Sequence, residues 1–398
     1  MSRDVLHSWR DPRVQARFPH YRNLLDGKAV AFYKIAKSIA VPTIDATQSI
    51  DELVRMHDAA RVLFKDEVAR GQTPNDFEQT TVKANPSFLD LKVRLAKEYL
   101  KHCNFCENLC GVDRTRGQIG KCGMPAEACI FDAIRHEGEE PILVPSGCIF
   151  FYGCTFKCVF CANFEIAHEW RKKDLPPLGL QARSMWLKKP ASWFNSPEDV
   201  ADLVAELFKQ KVKNINYVGG DPTSDLHVIL EAMEHHDMNI CLLWNSNFYN
   251  SAPALDLLLD VMDIWLPDWK YGNDACALKY SRAPNYMAIM QRNFQRINDE
   301  GSGEIIIRHL VMPGHVECCS KPALEWIARH LPKAVVNIME QYHPAYHASE
   351  YPEINRLPTK EEIDAARRYA TDLGIVWEPV TYTAAWNPNN RSWDVSDM

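Results

Sequence analysis

From residue 146 onward the chain alternates short β-rich runs with stretches of helical periodicity, and nothing else in the sequence restricts the fold so tightly. Candidate strands fall at 148–152, 214–218, 240–244, 264–267, 304–310 and 335–339, with a seventh at 375–377. Helical runs lie between them at 196–209, 226–235, 252–262, 286–298 and 321–330. Strand then helix, repeated about six times, is the pattern of a parallel sheet with helices outside, because a parallel crossover needs a long return connection. The expected class is α/β: a partial TIM-type (β/α)6 barrel over 146–385, followed by a C-terminal tail at 386–398. Residues 1–100 read as a helical N-terminal extension. Apolar residues recur at helical spacing over 50–69 and 86–100, with Pro86 at the first position of the second helix. The extension shows no chemistry, and packing or interaction is its expected role.

The chain holds 13 cysteines, and seven of them fall in two groups: Cys103, Cys106, Cys110, Cys122, and then Cys154, Cys158, Cys161. No secretory signal is visible at the N-terminus, and no apolar run approaches the roughly 20 residues needed to cross a bilayer. A cytoplasmic location is expected. Thiols stay reduced there, so clustered cysteines read as metal or cluster ligands rather than disulfides. The second group forms a C-x3-C-x2-C loop directly after the first candidate strand. Such a loop can wrap three thiolates around three corners of a 4Fe-4S cube. No fourth cysteine follows nearby, which leaves one iron open to a ligand.

C-x3-C-x2-C with an aromatic residue, Phe160, before the last cysteine resembles the radical S-adenosylmethionine (SAM) superfamily. The resemblance implies that the open iron is chelated by the amino and carboxylate groups of SAM. An electron from the reduced cluster would then split the sulfonium, giving methionine and a 5′-deoxyadenosyl radical that abstracts hydrogen from a substrate. The other strand ends fit the same expectation, since barrel chemistry gathers at the C-terminal ends of the strands. The second ends in Gly219-Gly220-Asp221-Pro222, which resembles the GGEP element that meets the SAM amino group, with Asp221 in place of Glu. The third ends in Asn245-Ser246-Asn247, groups suited to a ribose or a carboxylate. The fourth ends in Asp268-Trp269-Lys270, whose alternation points Asp268 and Lys270 the same way. This D-x-K, with Arg308 and His309 on the fifth strand, resembles the activases of glycyl radical enzymes.

Longer stretches narrow the resemblance to the group described as pyruvate formate-lyase activating enzyme-like. They are Leu266 to Asp274, Gln341 to Tyr346, Tyr351 to Arg356 and Cys110 to Arg114. One departure bears on the substrate. In glycyl radical activases any additional cysteines follow the SAM-binding loop, whereas here they precede it. The implied partners are a low-potential electron donor of the flavodoxin or ferredoxin type and an unidentified substrate, protein or small molecule. A glycyl radical enzyme is one expectation. Radical modification of a small molecule or protein side chain, including methylation, is the alternative. A non-catalytic iron- or zinc-binding module is a third.

The upstream group, in a Cys-rich segment over 101–145, offers four soft ligands in a glycine-rich loop that suit zinc, a mononuclear iron or an accessory cluster. Cys129 or Cys148 could replace one of them. Cys241, Cys276, Cys318 and Cys319 are expected to be small buried hydrophobes. Phe160, Trp244 and Tyr342 could stack on adenine, with core packing as the alternative for each. A net charge of −7 from 45 basic and 52 acidic residues carries no basic surplus, so neither nucleic acid nor an anionic membrane is an expected partner.

Overall fold

A computed structural model describes residues 11–80, 82–169, 195–378, 384–387 and 392–395. The N-terminal residues read for a targeting signal, and most of the tail at 386–398, lie outside them. Eight strands form one sheet in chain order: β1 (Ile130–His136), β2 (Ser146–Phe151), β3 (Asn214–Gly219), β4 (Cys241–Ser246), β5 (Ile264–Pro267), β6 (Glu304–Leu310), β7 (Val335–Met339) and β8 (Trp377–Glu378). All neighbours from β2 to β8 pair in parallel, while β1 lies antiparallel against β2. The fold is α/β with a curved, mostly parallel sheet, a partial barrel of the TIM type.

The strands read as apolar runs because both faces are covered. Every residue of β4 and β5 is buried. Local signals set the helices between them. Pro197–Lys209 opens on a Ser196–Asp199 capping box with Pro197 in its first turn, and turns Val200, Leu203, Val204 and Leu207 inward. One continuous apolar cluster runs from Val14 to Val376 and joins the N-terminal helices to the barrel. Lys92, fully buried on the helix Phe88–Leu100, donates to Asp260 at 2.8 Å. Arg61, from Ile50–Arg70, donates to the same carboxylate at 3.2 Å.

Two local expectations need correction. Pro86 does not open its helix: Ser87 is the cap, its side chain accepting from the backbone N–H of Asp90, and Pro86 stands before it. Reciprocal bonding by Ser87 and Asp90 satisfies two orphan donors and sets the start. The segment 101–145 is also more than a loop. Ile130–His136 enters the sheet as β1, and Ile130, Ala133, Ile142 and Leu143 are buried.

Candidate functional site

Parallel strands bring their C-terminal ends to one side of the sheet, and the direction of β1 returns the upstream segment to that side. Ile130 pairs with Phe151, the last residue of β2. The chain just before β1 is therefore hydrogen-bonded to the chain just after β2. Tyr152 N–H donates to Cys129 O at 2.9 Å, and Cys154 N–H donates to Cys122 O at 3.2 Å.

Cys154 and Cys158 are buried and Cys161 half-buried. Burial pushes all three thiols up, Cys161 to about 12, with neighbouring carboxylates and thiols adding to the effect at Cys154 and Cys161. Alone they are protonated, and the charge of bound iron is what makes such thiols thiolates. Their loop is held from three sides. Lys157 N–H and Val159 N–H donate to the carbonyls of Ser281 and Tyr280 at 3.0 and 2.9 Å. Thr155 Oγ1 donates to Asp221 Oδ2 at 2.7 Å and accepts from Asn247 Nδ2 at 2.8 Å. Asn247 Nδ2 also lies 3.6 Å from Cys154 Sγ. Gly220 closes the fourth approach: a Cβ there would sit 2.0 Å from the Gly153 carbonyl oxygen. Asp221 caps the following turn, Pro222–Asp225, accepting from Thr223 N–H, and Gly219 and Pro222 lie on either side of the Gly220–Asp221 pair. Burial raises the pKa of Asp221 against the hydrogen bonds from Thr155 and Thr223.

At the end of β5, Lys270 and Asp268 form a short, largely buried ion pair. Burial works against the Lys270 ammonium, but Asp268 and the cysteines at 158 and 154 outweigh it, and its pKa is raised. Cys158 Sγ lies 2.9 Å from Ser281 Oγ, which Tyr271 OH meets at 2.5 Å. A positive charge, three thiols and a hydroxyl thus lie close together at the strand ends. Asn245 shares the inward face of its strand end with Asn247, and its Nδ2 is buried with no hydrogen-bond partner among the described residues. A buried unpaired amide donor is costly unless something else accepts from it. The donor set fits a thiolate-bound cluster with a small polar ligand beside it.

The remaining predicted residues divide by strand phase. Arg308 points into the barrel, its Nε and Nη2 each 2.7 Å from the Glu140 carboxylate, with Nη2 also on Glu139 and Nη1 3.4 Å from Asn245 Oδ1. Burial works against ionising Glu139, yet Arg308 and His136 prevail and hold its carboxyl at about 2. His309 faces the other way: one ring nitrogen meets Trp269 O at 2.7 Å and the other Ser320 Oγ at 2.9 Å. Both nitrogens are engaged behind the sheet, so the structure does not bring His309 to the mouth. Ser246 also turns from the Asn245–Asn247 face, its Oγ accepting from Phe248 N–H at 3.0 Å. Phe160 packs on Tyr342 with ring centroids 5.4 Å apart, and Trp244 is fully buried.

The upstream cysteines lie against the same loop. Asn108 Nδ2 donates to Thr155 O at 2.7 Å and sits 3.6 Å from Cys106 Sγ. Arg114 is almost completely buried, with Nε donating to Pro125 O at 2.9 Å and Nη1 3.9 Å from Cys103 Sγ. A buried guanidinium calls for anionic company, and Cys122, Cys103 and Asp225 are the groups beside it that favour its charge against burial. Among the described residues, the trios whose ligand atoms all lie within 4.8 Å of one another are Cys276, His315, Cys318 and His136, Glu139, Cys148. Neither cysteine group picked out from the sequence is among them. Thiolates on one tetrahedral zinc sit only about 3.8 Å apart, whereas those on different irons of a cluster are more widely spread. Cys276 and Cys318 need correction: Cys276 is half-buried and Cys318 exposed, whereas Cys241 and Cys319 are buried as expected.

Residues 148–327, from β2 into the helix Lys321–His330, match the model of the radical SAM superfamily. That span takes in the three-cysteine loop and the ends of β3 to β6; the upstream cysteines precede it. The chain is 40% identical over 347 residues to an uncharacterized protein of Methanocaldococcus jannaschii, covering 87% of this chain and 95% of that one. Among solved structures it is similar to a radical SAM methyltransferase from Sphaerobacter thermophilus, at 15% identity and a TM-score of 0.39, over 59% of this chain and 66% of the other. It is also similar to SuiB of Streptococcus suis, solved with S-adenosylmethionine, at 11% identity and a TM-score of 0.40, over 86% and 68%. Members of the superfamily bind a 4Fe-4S cluster and SAM and carry out radical chemistry, and residues 148–327 of this chain are a radical SAM superfamily domain.

Proposed function

We propose that this chain cleaves SAM reductively at a 4Fe-4S cluster on Cys154, Cys158 and Cys161 and directs hydrogen abstraction at an external substrate. The observation that carries this is the convergence of two buried thiols and one half-buried thiol, the Asp221–Thr155–Asn247 network and the Asp268–Lys270 pair at one mouth. When bound, the cluster supplies the electron that splits the sulfonium. The chain's own groups then have distinct tasks. The Lys270 ammonium offsets thiolate charge, and Asn245 Nδ2 is a free donor for a carboxylate or ribose oxygen. Asp221 and the peptide groups of Gly219 and Gly220 face the position of an amino group. Phe156, Phe160 and Tyr342, all buried, exclude water.

The upstream cysteines, in this proposal, hold an accessory cluster that relays electrons from a flavodoxin- or ferredoxin-type donor in a reducing cytoplasm. Cys103 and Cys110 lie within hydrogen-bond reach of each other, but no three of the four ligand atoms lie within 4.8 Å of one another, which supports a cluster over a single ion. The activating-enzyme resemblance makes a glycyl radical protein one substrate class. The placement of the extra cysteines ahead of the cluster loop and packed against it favours the other: radical modification, methylation included, of a small molecule or another protein side chain.

Anaerobic reconstitution with iron and sulfide, followed by dithionite and SAM, should release 5′-deoxyadenosine, and deuterium transfer into it would trace the substrate. Cys158→Ala should reduce product to background. Undiminished turnover in that variant, or no product from a demonstrably reduced wild-type cluster, would sink the proposal.

A further inference from the structure

A second metal-ligating constellation lies outside the barrel mouth, formed by two loops that are distant in sequence. After β5 the chain turns through Gly272 and Asn273 into the helix Asp274–Ser281, which presents Cys276. After β6 it passes His315 and enters the π-turn Val316–Ser320, which presents Cys318 and Cys319. One ligand atom each from Cys276, His315 and Cys318 lie within 4.8 Å of one another. The Sγ of Cys319 is 3.8 Å from that of Cys318, and its thiol also interacts with Cys276.

Three features mark this as a built site. First, the loops meet at backbone contact: a Cβ on Gly272 would sit 2.6 Å from Cys319 O and 2.8 Å from Cys318 O. Asn273 ties them from both ends. Its Nδ2 donates to Cys318 O at 2.8 Å, and its Oδ1 accepts from Cys276 N–H at 2.8 Å. The ligand positions are thus set by the fold. Second, His315 Nδ1 meets the Pro313 carbonyl oxygen at 2.7 Å, so it carries the proton and the other ring nitrogen keeps the lone pair. Fixing the tautomer through a backbone carbonyl is how metal-bound histidines are usually held. His315 is buried and its ring meets Tyr280 edge-on at 5.2 Å, which limits its rotation. Third, Cys318 is exposed while Cys319 is buried, which gives an ion a route in and a closed back wall.

We infer that Cys276, His315 and Cys318 hold a single divalent ion, zinc by its thiolate and imidazole ligands, with the adjacent Cys319 thiol as the fourth ligand it would recruit. The convergence to single-ion spacing separates it from both other cysteine groups. With Cys319 recruited as the fourth ligand no position stays open, which makes the ion structural. It clamps the loop that follows Lys270 to the turn that follows β6. Ser320, at the end of that turn, bonds His309, and the helix carrying Cys276 ends at Ser281, beside Cys158.

The test uses the full-length protein, purified anaerobically as wild type and as Cys276→Ala/Cys318→Ala. Both substituted positions are at least partly accessible, so the variant should fold, and circular dichroism checks that it does. Wild type should carry about one zinc per chain more than the variant, at equal iron content. Cobalt added to metal-stripped protein should give thiolate-to-cobalt charge-transfer absorption in wild type that the variant lacks. His315→Ala should bind cobalt with altered ligand-field bands. Equal zinc in wild type and folded variant with no cobalt difference between them would overturn the assignment, as would a Cys276–Cys318 disulfide in the anaerobic protein. Neither readout depends on SAM cleavage, so this inference and the proposed reaction can fail separately.

Discussion

Thr155 places one hydroxyl between two groups of opposite need, giving its proton to the Asp221 carboxylate and accepting from the Asn247 amide. Thr155→Val keeps the shape and removes both bonds. The expected cost is roughly 1–3 kcal/mol of stability, read by anaerobic urea unfolding, with slower 5′-deoxyadenosine release. Gly220→Ala should act more harshly, because backbone rather than a movable side chain meets the new methyl group, at 2.0 Å. Iron retained after reconstitution should fall well below wild type in that variant. At this scale the sequence was legible where chemistry and spacing coincide in one loop, as at Cys154, Cys158 and Cys161. Arg308 and His309 look alike as strand-end residues, and only the phase of β6 separates an inward arginine from a histidine bonded behind the sheet. The Cys276–Cys318 cluster was illegible because two strand ends far apart in sequence supply it. The one local hint was a histidine three residues before a cysteine pair.

Periodicity located the six parallel strands β2 to β7 to within a few residues, because both-sided burial leaves apolar runs that few other elements produce. It missed β1, where Cys129, Ile130 and Phe131 read as part of a cysteine-rich loop. The N-terminal segment shows how an element without catalytic groups still titrates. Glu304, at the start of β6, accepts from the backbone N–H groups of His20 and Tyr21 at 2.6 and 3.0 Å. Burial outweighs those bonds and raises its pKa from 4.5 to about 7. The folded state therefore keeps a proton that the unfolded state has released. This contribution is full below about pH 4.5 and is lost as pH rises through 7. In denaturation at pH 5 and pH 8, Glu304→Gln should lose less stability than wild type on going to the higher pH, by on the order of 2 kcal/mol. An identical loss in both proteins would refute the shift.

Across the whole molecule, the barrel class and its cofactor could be read from order alone, since each strand end carries its motif in sequence. The contact between the upstream cysteines and the cluster loop could not, because it depends on β1 running backwards. Its consequence concerns how the protein is assembled. With Cys154 N–H on Cys122 O and Asn108 spanning Thr155 and Cys106, neither loop can take its final shape while the other is unformed. With the accessory cluster proposed for the upstream cysteines, maturation should therefore be cooperative. Stepwise addition of iron and sulfide to apoprotein should yield few half-loaded chains, and Cys110→Ala should lose iron from both sites. A cell that delivered iron to only one loop would obtain an immature protein rather than a slower enzyme.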